Sequence, residues 1–412
     1  MSSDVNALQE TVPPHVPPDL VRRPDHLRPN DLEDPFSLSA DVFEALPPVF
    51  YDPRPAAGLH DGVWVVTRYE DIREVYQNSD LYSTDGVLRF PILVGETFPL
   101  IPQAVDPPRH GLYRVMLNPW FSPKKVAELE PGIRGVIGEL IDGFEGRGEC
   151  DAAYDFGRIF PVRVFLDLMG FPQAMLDEFL SWEYALLHNR GDVAKMRWGI
   201  TNAIAYLRRF VEERRAAPRD DLTSHIVHAQ IDGRPISNDE IIGTMFFLWI
   251  GGLDTVAATW ALMIRRLALN PALQEALRAD EARIPDAIEE FMRVQPLVNS
   301  VRRAKADHEI RGVRILKGDS VLTYNNAGNF DPAEFENPRE VRFDRAQNRH
   351  FTLAGGPHRC LGSHLARREL RIALAEFLRR VPPFRLKPGA DRTAYPGLIA
   401  APHLPIVWAD PG

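Results

Sequence analysis

Cys360 sits in the run LAGGPHRCLGSHLARREL (Leu353–Leu370), between a glycine-rich turn and a strong helix former. Gly355, Gly356 and Pro357 predict a sharp turn in which backbone approaches something flat and large. Gly362 then opens SHLARRELRIALAEFLRR. A thiol at the mouth of a helix faces amide N–H groups and the positive end of the helix dipole, which favour the metal-binding thiolate. A cysteine that only packs in a core is the commoner fate of a lone cysteine.

Three further constellations carry chemistry in their spacing. Gly251-Gly252-Leu253-Asp254-Thr255 lies inside NDEIIGTMFFLWIGGLDTVAATWALMIRRLALNP. Two mid-helix glycines cost about 1 kcal/mol each against alanine, so something should occupy the space they leave. An acid beside a hydroxyl in so apolar a stretch is costly unless paired. A kink with the threonine bonded back to the preceding turn answers that pattern. Glu290 and Arg293, in DAIEEFMRVQP, are three apart and share one helix face. His110 and Arg114, in DPPRHGLYRVMLNPWFSP, are four apart and suit a carboxylate. Either pair alone is more often surface decoration.

The elements that must position these residues follow from the rest of the chain. Its 412 residues are 45% hydrophobic and 25% charged, ordinary for a globular protein with a large core. A net charge of −9 argues against general affinity for nucleic acid, which rests on neutralising phosphates. MSSDVNALQETVPPHVPPDL has neither the basic start nor the apolar core of a secretory signal. The longest apolar run, Met245–Leu253, is far short of the ~20 residues that span a bilayer. Cys150 and Cys360 are too few for a disulfide framework, so a reducing cytoplasm is expected.

Eleven prolines fall in the first 55 residues, and residues 1–35 are expected to form an extended arm. GVWVVTR suggests a strand and YEDIREVYQNSD a helix, and Pro123 to Leu269 is mostly helical in pattern. Ser237 and Glu240 make a capping box ahead of one helix of about 45 Å, stopped at Asn270-Pro271. Ser300–Asn325 reads as strands, and Pro332–Arg349 as a meandering loop. Neither linker nor repeat divides the chain. One mainly α unit with a smaller β-rich part is expected over residues 1–412.

Gly356-Pro-His-Arg-Cys-Leu-Gly362 resembles the haem-binding loop of the cytochrome P-450 family, whose cysteine thiolate is the axial iron ligand. The family's phenylalanine seven residues before the cysteine is Leu353 here, a departure that touches the iron's potential more than its ligation. By the same resemblance, Glu290 and Arg293 meet Arg345 and lock the meander behind the haem. Gly251 and Gly252 make room for dioxygen, Asp254 and Thr255 relay protons, and His110, Arg114, Arg302 and His358 bind the haem propionates. PPHVPPDLV, DPPRH, GGLDTV and HRCLGSHLARRE are similar to the bacterial camphor-hydroxylase group.

The resemblance implies the cytochrome P-450 fold, with haem b between a long distal helix and the cysteine-loop helix. It implies a monooxygenase inserting one oxygen atom of O2 into a C–H bond of a small apolar substrate such as a terpenoid or norisoprenoid. O-demethylation or other oxidation of a substituted aromatic stays open, as does a haem-thiolate sensor without catalysis. Electrons would come from an acidic [2Fe–2S] ferredoxin and its NAD(P)H-dependent reductase, docked over Arg359, Arg367, Arg368 and Arg371, with Arg109 beside them. A monomer without membrane or nucleic-acid partners is expected. The family's substrate regions correspond to Phe90, Phe98, Leu100, Gln103, Phe247, Ile250, Val298 and Leu398, an apolar set with few donors. Phe98 stands where camphor-type relatives offer a phenolic hydroxyl.

Overall fold

A computed structural model describes residues 10–24, 43, 45–55, 61–189, 192–395, 398 and 400–408. Of the proline-rich arm, residues 1–9 and 25–35 lie outside the described residues. The described part is pinned to a sheet: Val16 is buried among the sheet's core residues, and His15 Nε2 lies 2.9 Å from Asp319 Oδ2.

That sheet has five strands, β1 (Val49–Asp52), β2 (Val63–Val66), β3 (Tyr82–Ser83), β4 (Ser300–Ala304) and β5 (Ser320–Thr323), in the order β1-β2-β5-β4-β3. β2 and β5 run parallel with Trp64 opposite Val321, and the other pairings are antiparallel. All eight residues of β1 and β2 are buried, as expected of strands covered on both faces. A second sheet joins Glu149–Asp151, Pro405–Val407 and Arg385–Leu386, with Cys150 opposite Ile406. Cys150 is buried in the core, and burial pushes its thiol up.

The helices that build the site are α1 (Tyr69–Gln77), α2 (Arg109–Leu117), α3 (Pro123–Asp142), α4 (Phe160–Met169), α5 (Leu176–Leu187), α6 (Val193–Ala216), α7 (Asn238–Gly252), α8 (Asp254–Leu269), α9 (Ile284–Val294) and α10 (Ser363–Arg380). The capping box forms as its spacing predicts. Ser237 Oγ accepts from the Glu240 N–H at 3.2 Å, and the Glu240 carboxylate accepts from the Ser237 N–H at 2.7 Å.

The single long helix expected from the sequence is two. α7 ends at Gly252 and α8 begins at Asp254, with Leu253 between them at φ −95°, ψ −64°. Two consecutive residues without Cβ stiffen the backbone least where the ladder is interrupted. Asn238–Leu269 is long and apolar enough to cross a membrane, but 67% of its most apolar window is buried inside the molecule. Phe246, Trp249 and Trp260 are among the largest fully buried side chains, which marks this as the central core element. Residues 332–349 contain no helix or strand, in keeping with a meander.

Candidate active site

The cysteine loop is shaped by α1. A Cβ on Gly356, whose φ is +63°, would stand 2.0 Å from the Tyr76 carbonyl oxygen. Only glycine fits there. The close approach that the sequence predicts is thus, at this glycine, an approach to helix backbone. Cys360 N–H donates to the Leu353 carbonyl at 2.9 Å, closing the loop, and Leu353 packs into the core beside α10. Arg114 on α2 ties in from the other side, donating from Nη1 to the Arg359 carbonyl at 2.8 Å and from Nε to Asn118 Oδ1 at 3.0 Å.

The expectation of a thiolate set by the helix terminus alone needs correction. Burial pushes the Cys360 thiol up, and the Gly362 N–H together with Arg114, Arg367 and Arg359 only partly offsets it. Desolvation of a buried charge exceeds the partial charges of one helix end. A coordinating metal, by contrast, deprotonates a thiol outright.

Behind the loop, Glu290, Arg293 and Arg345 meet. Glu290 is fully buried and accepts from Arg293 at 2.7 and 2.8 Å, from Arg345 Nε at 3.0 Å, from the Arg342 N–H at 3.0 Å and from Asn348 at 3.1 Å. Arg293 spends its other N–H groups on the carbonyls of Asn329, Pro338 and Glu340, and Arg345 on those of Glu336, Asn337 and Glu340. Backbone that forms no strand or helix thus has its carbonyls satisfied by two guanidinium groups. Burial raises the Glu290 carboxyl, but these donors outweigh it and hold it below the usual carboxylate range.

On the sheet side, His110, Arg302 and His358 form a buried basic cluster. The two imidazoles stand 4.1 Å apart by ring centroid. Burial and neighbouring cations lower His110 to about 4 and His358 to about 3, so both are neutral. His110 Nε2 and His358 Nδ1 are buried without a hydrogen-bond partner. Arg302 donates to the Val301 carbonyl and lies over the Tyr76 ring. Thr84, which sequence reasoning missed, lies 3.3 Å from His358 Nε2 and is itself held by Asp106.

The remaining candidates lie at the break between α7 and α8. Nothing lies within 4 Å of where a Cβ on Gly251 would stand, whereas one on Gly252 would touch Phe165 at 3.1 Å. Thr255 Oγ1 donates to the Gly251 carbonyl at 3.1 Å, the back-bonded arrangement noted above. Asp254 is buried, with Oδ1 at 3.1 Å from His188 Nε2 and Oδ2 unpartnered. His188 and the nearby Glu183 were both missed. The available signal was Glu183 itself, an acid on the apolar stripe Phe179-Trp182-Leu186 of α5.

The substrate candidates divide. Phe98 and Leu100 are core, 4% and 1% exposed, with the Phe98 ring edge-on to Phe246 at 5.9 Å. Phe90, Phe247, Ile250 and Leu398 are half-buried against that core, Gln103 is half-buried, and Val298 is exposed. The basic cluster is thinner than expected. Arg367 donates to Glu289 at 2.5 and 2.7 Å, and Arg368 pairs with Glu130. Arg109 is engaged by Tyr113 and Glu240 at the start of α7, which removes it from the cysteine side. Arg359 and Arg371 stay exposed.

A cysteine loop tied to α1 and α2, two buried imidazoles with unpartnered nitrogens and an apolar helix broken beside an acid are the parts of a haem-thiolate type of site. A family model described as Cytochrome P450 matches residues 162–396. The chain is similar to "Probable cytochrome P450 127A1" of Sinorhizobium fredii, 36% identical with 97% of each chain covered. It is similar as well to "Mycinamicin IV hydroxylase/epoxidase" of Micromonospora griseorubida, 33% identical over 86% of this chain and 91% of that one. The crystal structure of cytochrome P450 CYP101C1 superposes with a TM-score of 0.85 at 32% identity, covering 97% of this chain and all of that one. The chain belongs to the cytochrome P450 family and is one of its monooxygenases.

The family works with haem iron and O2, and the residues present fit that group. His110 Nε2, His358 Nδ1 and Arg302 form a buried basic set suited to carboxylates. Cys360 offers the one sulfur of the loop, and the space beside Gly251 is open.

Proposed function

We propose that this enzyme hydroxylates a small apolar substrate, a terpenoid or norisoprenoid. Its electrons come from a [2Fe–2S] ferredoxin with an NAD(P)H-dependent reductase. It works as a monomer in the cytoplasm, with residues 1–412 a single catalytic unit. The observation that supports this reading best is the pair of buried, unpartnered nitrogens of His110 and His358 next to the residues that hold the Cys360 loop.

Haem, ligated by Cys360 and held at its carboxylates by His110, Arg114, Arg302 and His358, supplies the oxygen-activating chemistry when bound. Every other task falls to side chains of this chain. Gly356 lets the loop seat against α1, and Glu290, Arg293 and Arg345 fix the meander behind it. Gly251 and Gly252 keep the middle of the distal helix low, and Gly251 leaves the space above it open. Asp254 accepts protons at its carboxylate and hands them to the Thr255 hydroxyl, which must first release the Gly251 carbonyl.

The half-buried Phe90, Phe247, Ile250 and Leu398 offer apolar area worth roughly 25 cal/mol per Å² covered, with Gln103 the one amide among them. Phe98 has no hydroxyl for a ketone, and its place against Phe246 puts it behind that lining. Arg359 and Arg371 are the cations left exposed around the loop, and they complement an acidic ferredoxin through a field that salt weakens.

Two measurements test the reading. The ferrous–CO adduct should show the far red-shifted Soret band of thiolate ligation, and Cys360→Ala should abolish it. A normal band in that variant would overturn the assignment of the ligand. Titration with ionone-like norisoprenoids should give larger spin-state shifts than camphor. Tight, fully coupled camphor oxidation would overturn the substrate class.

A further inference from the structure

The mechanism above leaves Asp254 as a buried carboxylate with no stated source of protons. Two residues outside the family resemblance stand next to it. His188 caps the C-terminus of α5, with Nε2 at 3.1 Å from Asp254 Oδ1 and 3.8 Å from Glu183 Oε1. The three side chains are 11%, 10% and 7% exposed for His188, Asp254 and Glu183. Asp254 Oδ2 and Glu183 Oε1 are both buried without a partner.

A cluster built only for structure would satisfy those oxygens, as the Glu290 cluster does. We propose that Glu183 and His188 are positioning residues that load protons onto Asp254, giving the distal side of the site its own titratable supply. The proposal rests on the assignment of Asp254 made above and names what lies upstream of it.

Two carboxyl groups this close around one imidazole do not both stay ionised. Burial, reinforced by the Asp254 charge, pushes the Glu183 carboxyl well up, so Glu183 is the neutral acid of the pair. Tyr184 is exposed and stacks on the imidazole at 4.9 Å and 15°, holding His188 at the boundary between solvent and the buried acids. Among the described residues, the groups facing His188 are Glu183 and Tyr184 from its own helix and Asp254 from α8. On the neighbouring α6, Lys195 pairs with Asp192 at 3.7 Å.

Each turnover, RH + O2 + 2e⁻ + 2H⁺ → ROH + H2O, draws two protons into a closed site. His188 hands a proton from Nε2 to Asp254 Oδ1 across their 3.1 Å contact. Asp254 passes the proton on and returns to carboxylate, and His188 is recharged from solvent. Glu183 Oε1 stands 3.8 Å from the same nitrogen, close enough to hand it a second proton after a small side-chain shift.

The test is steady-state turnover of the haem-loaded enzyme between pH 5.5 and 9, in H2O and D2O. It uses a surrogate [2Fe–2S] ferredoxin and the compound giving the largest spin shift. Wild-type rate should fall towards the alkaline end of this range, because turnover draws on a supply of protons. His188→Gln should be about tenfold slower, without that limb and with a larger solvent isotope effect. Glu183→Gln should keep the limb, lower the rate about threefold and also raise the isotope effect. A His188→Gln enzyme with wild-type rate and profile would overturn the proposal. Should that variant not hold haem, Glu183→Gln with wild-type rate and isotope effect overturns it instead. Turnover that requires added Zn2+ and is lost to EDTA would overturn it in favour of a cation site. Asp254→Asn separates this proposal from the one beneath it. If Asp254→Asn is slow and His188→Gln is not, only the supply line is wrong. If Asp254→Asn keeps full rate, the role of Asp254 itself fails.

Discussion

Glu290 and Glu183 are both buried acids on helices, and their surroundings give them opposite characters. Glu290 is met by two guanidinium groups, a backbone N–H and an amide, and its carboxyl is held below the usual range. Among the described residues, Glu183 has no cation of that kind. Its closest charged neighbours are Asp254 and a histidine, and its carboxyl is pushed well up. A buried charge that must persist is surrounded by donors until nothing is left to titrate. A group that must exchange protons is left short of partners, and its unsatisfied oxygens mark where chemistry takes place. On the function proposed above, the proximal side of the site is a lock and the distal side a relay.

The largest expected effect breaks the lock. Glu290→Gln leaves two buried guanidinium groups without their counter-charge, which costs about 3–5 kcal/mol. It should appear as lowered haem content and a fallen Tm of the Soret band. Acid should do the same to the wild type. A group with a depressed folded pKa contributes in full above the ordinary carboxylate pKa of about 4.3, and loses that contribution as pH falls through its own lower value. Glu289, bound by Arg367 and His350 and lowered to about 2, acts in the same acid window. An unchanged Tm in Glu290→Gln would erase the distinction between the two sides.

Next in size are changes at the relay, which should leave Tm alone. Asp254→Asn should slow turnover about tenfold or more. Thr255→Ala should consume reductant and oxygen at a near-normal rate while most of the electrons appear as peroxide. Both are read from product, peroxide and NAD(P)H in one assay. Wild-type coupling and rate in both would return Thr255 to a back-bonded helix residue.

The smallest effect sharpens the contrast. Glu183→Gln should shift stability by less than about 1 kcal/mol at pH 5. Its advantage over wild type should then grow towards pH 8. A raised folded pKa gives stability that is whole below the unfolded value and is lost as pH rises through the folded one, opposite in sign to Glu290. Urea midpoints of Soret loss at pH 5, 6.5 and 8 measure this. A parallel offset at all three would mean that Glu183 does not titrate.

Local pattern made much of this legible. The capping box at Ser237, the strand at Val63–Val66, the meander and the meeting of Glu290, Arg293 and Arg345 all follow from neighbours in sequence or from the family's motifs. Cys360, the proposed sulfur ligand, stands between a turn at Gly356–His358 and the start of α10, as the glycines and the helix pattern predict.

Other features depended on residues far apart. The split of the distal helix at Leu253 needs the space left beside Gly251 as well as the helix propensity of the residues around it. Arg367 and Arg368 look like free cations in the sequence, but folding brings Glu289 and Glu130 to them. The sequence by itself determined the family, the ligand loop and the acid–alcohol pair, because each is written in short fixed spacings. Only tertiary structure decided that burial opposes the Cys360 thiolate, that Phe98 lies in the core, and that His188 and Glu183 stand beside Asp254. Those outcomes depend on desolvation and on contacts between separate helices, and neither has a period or spacing along the chain.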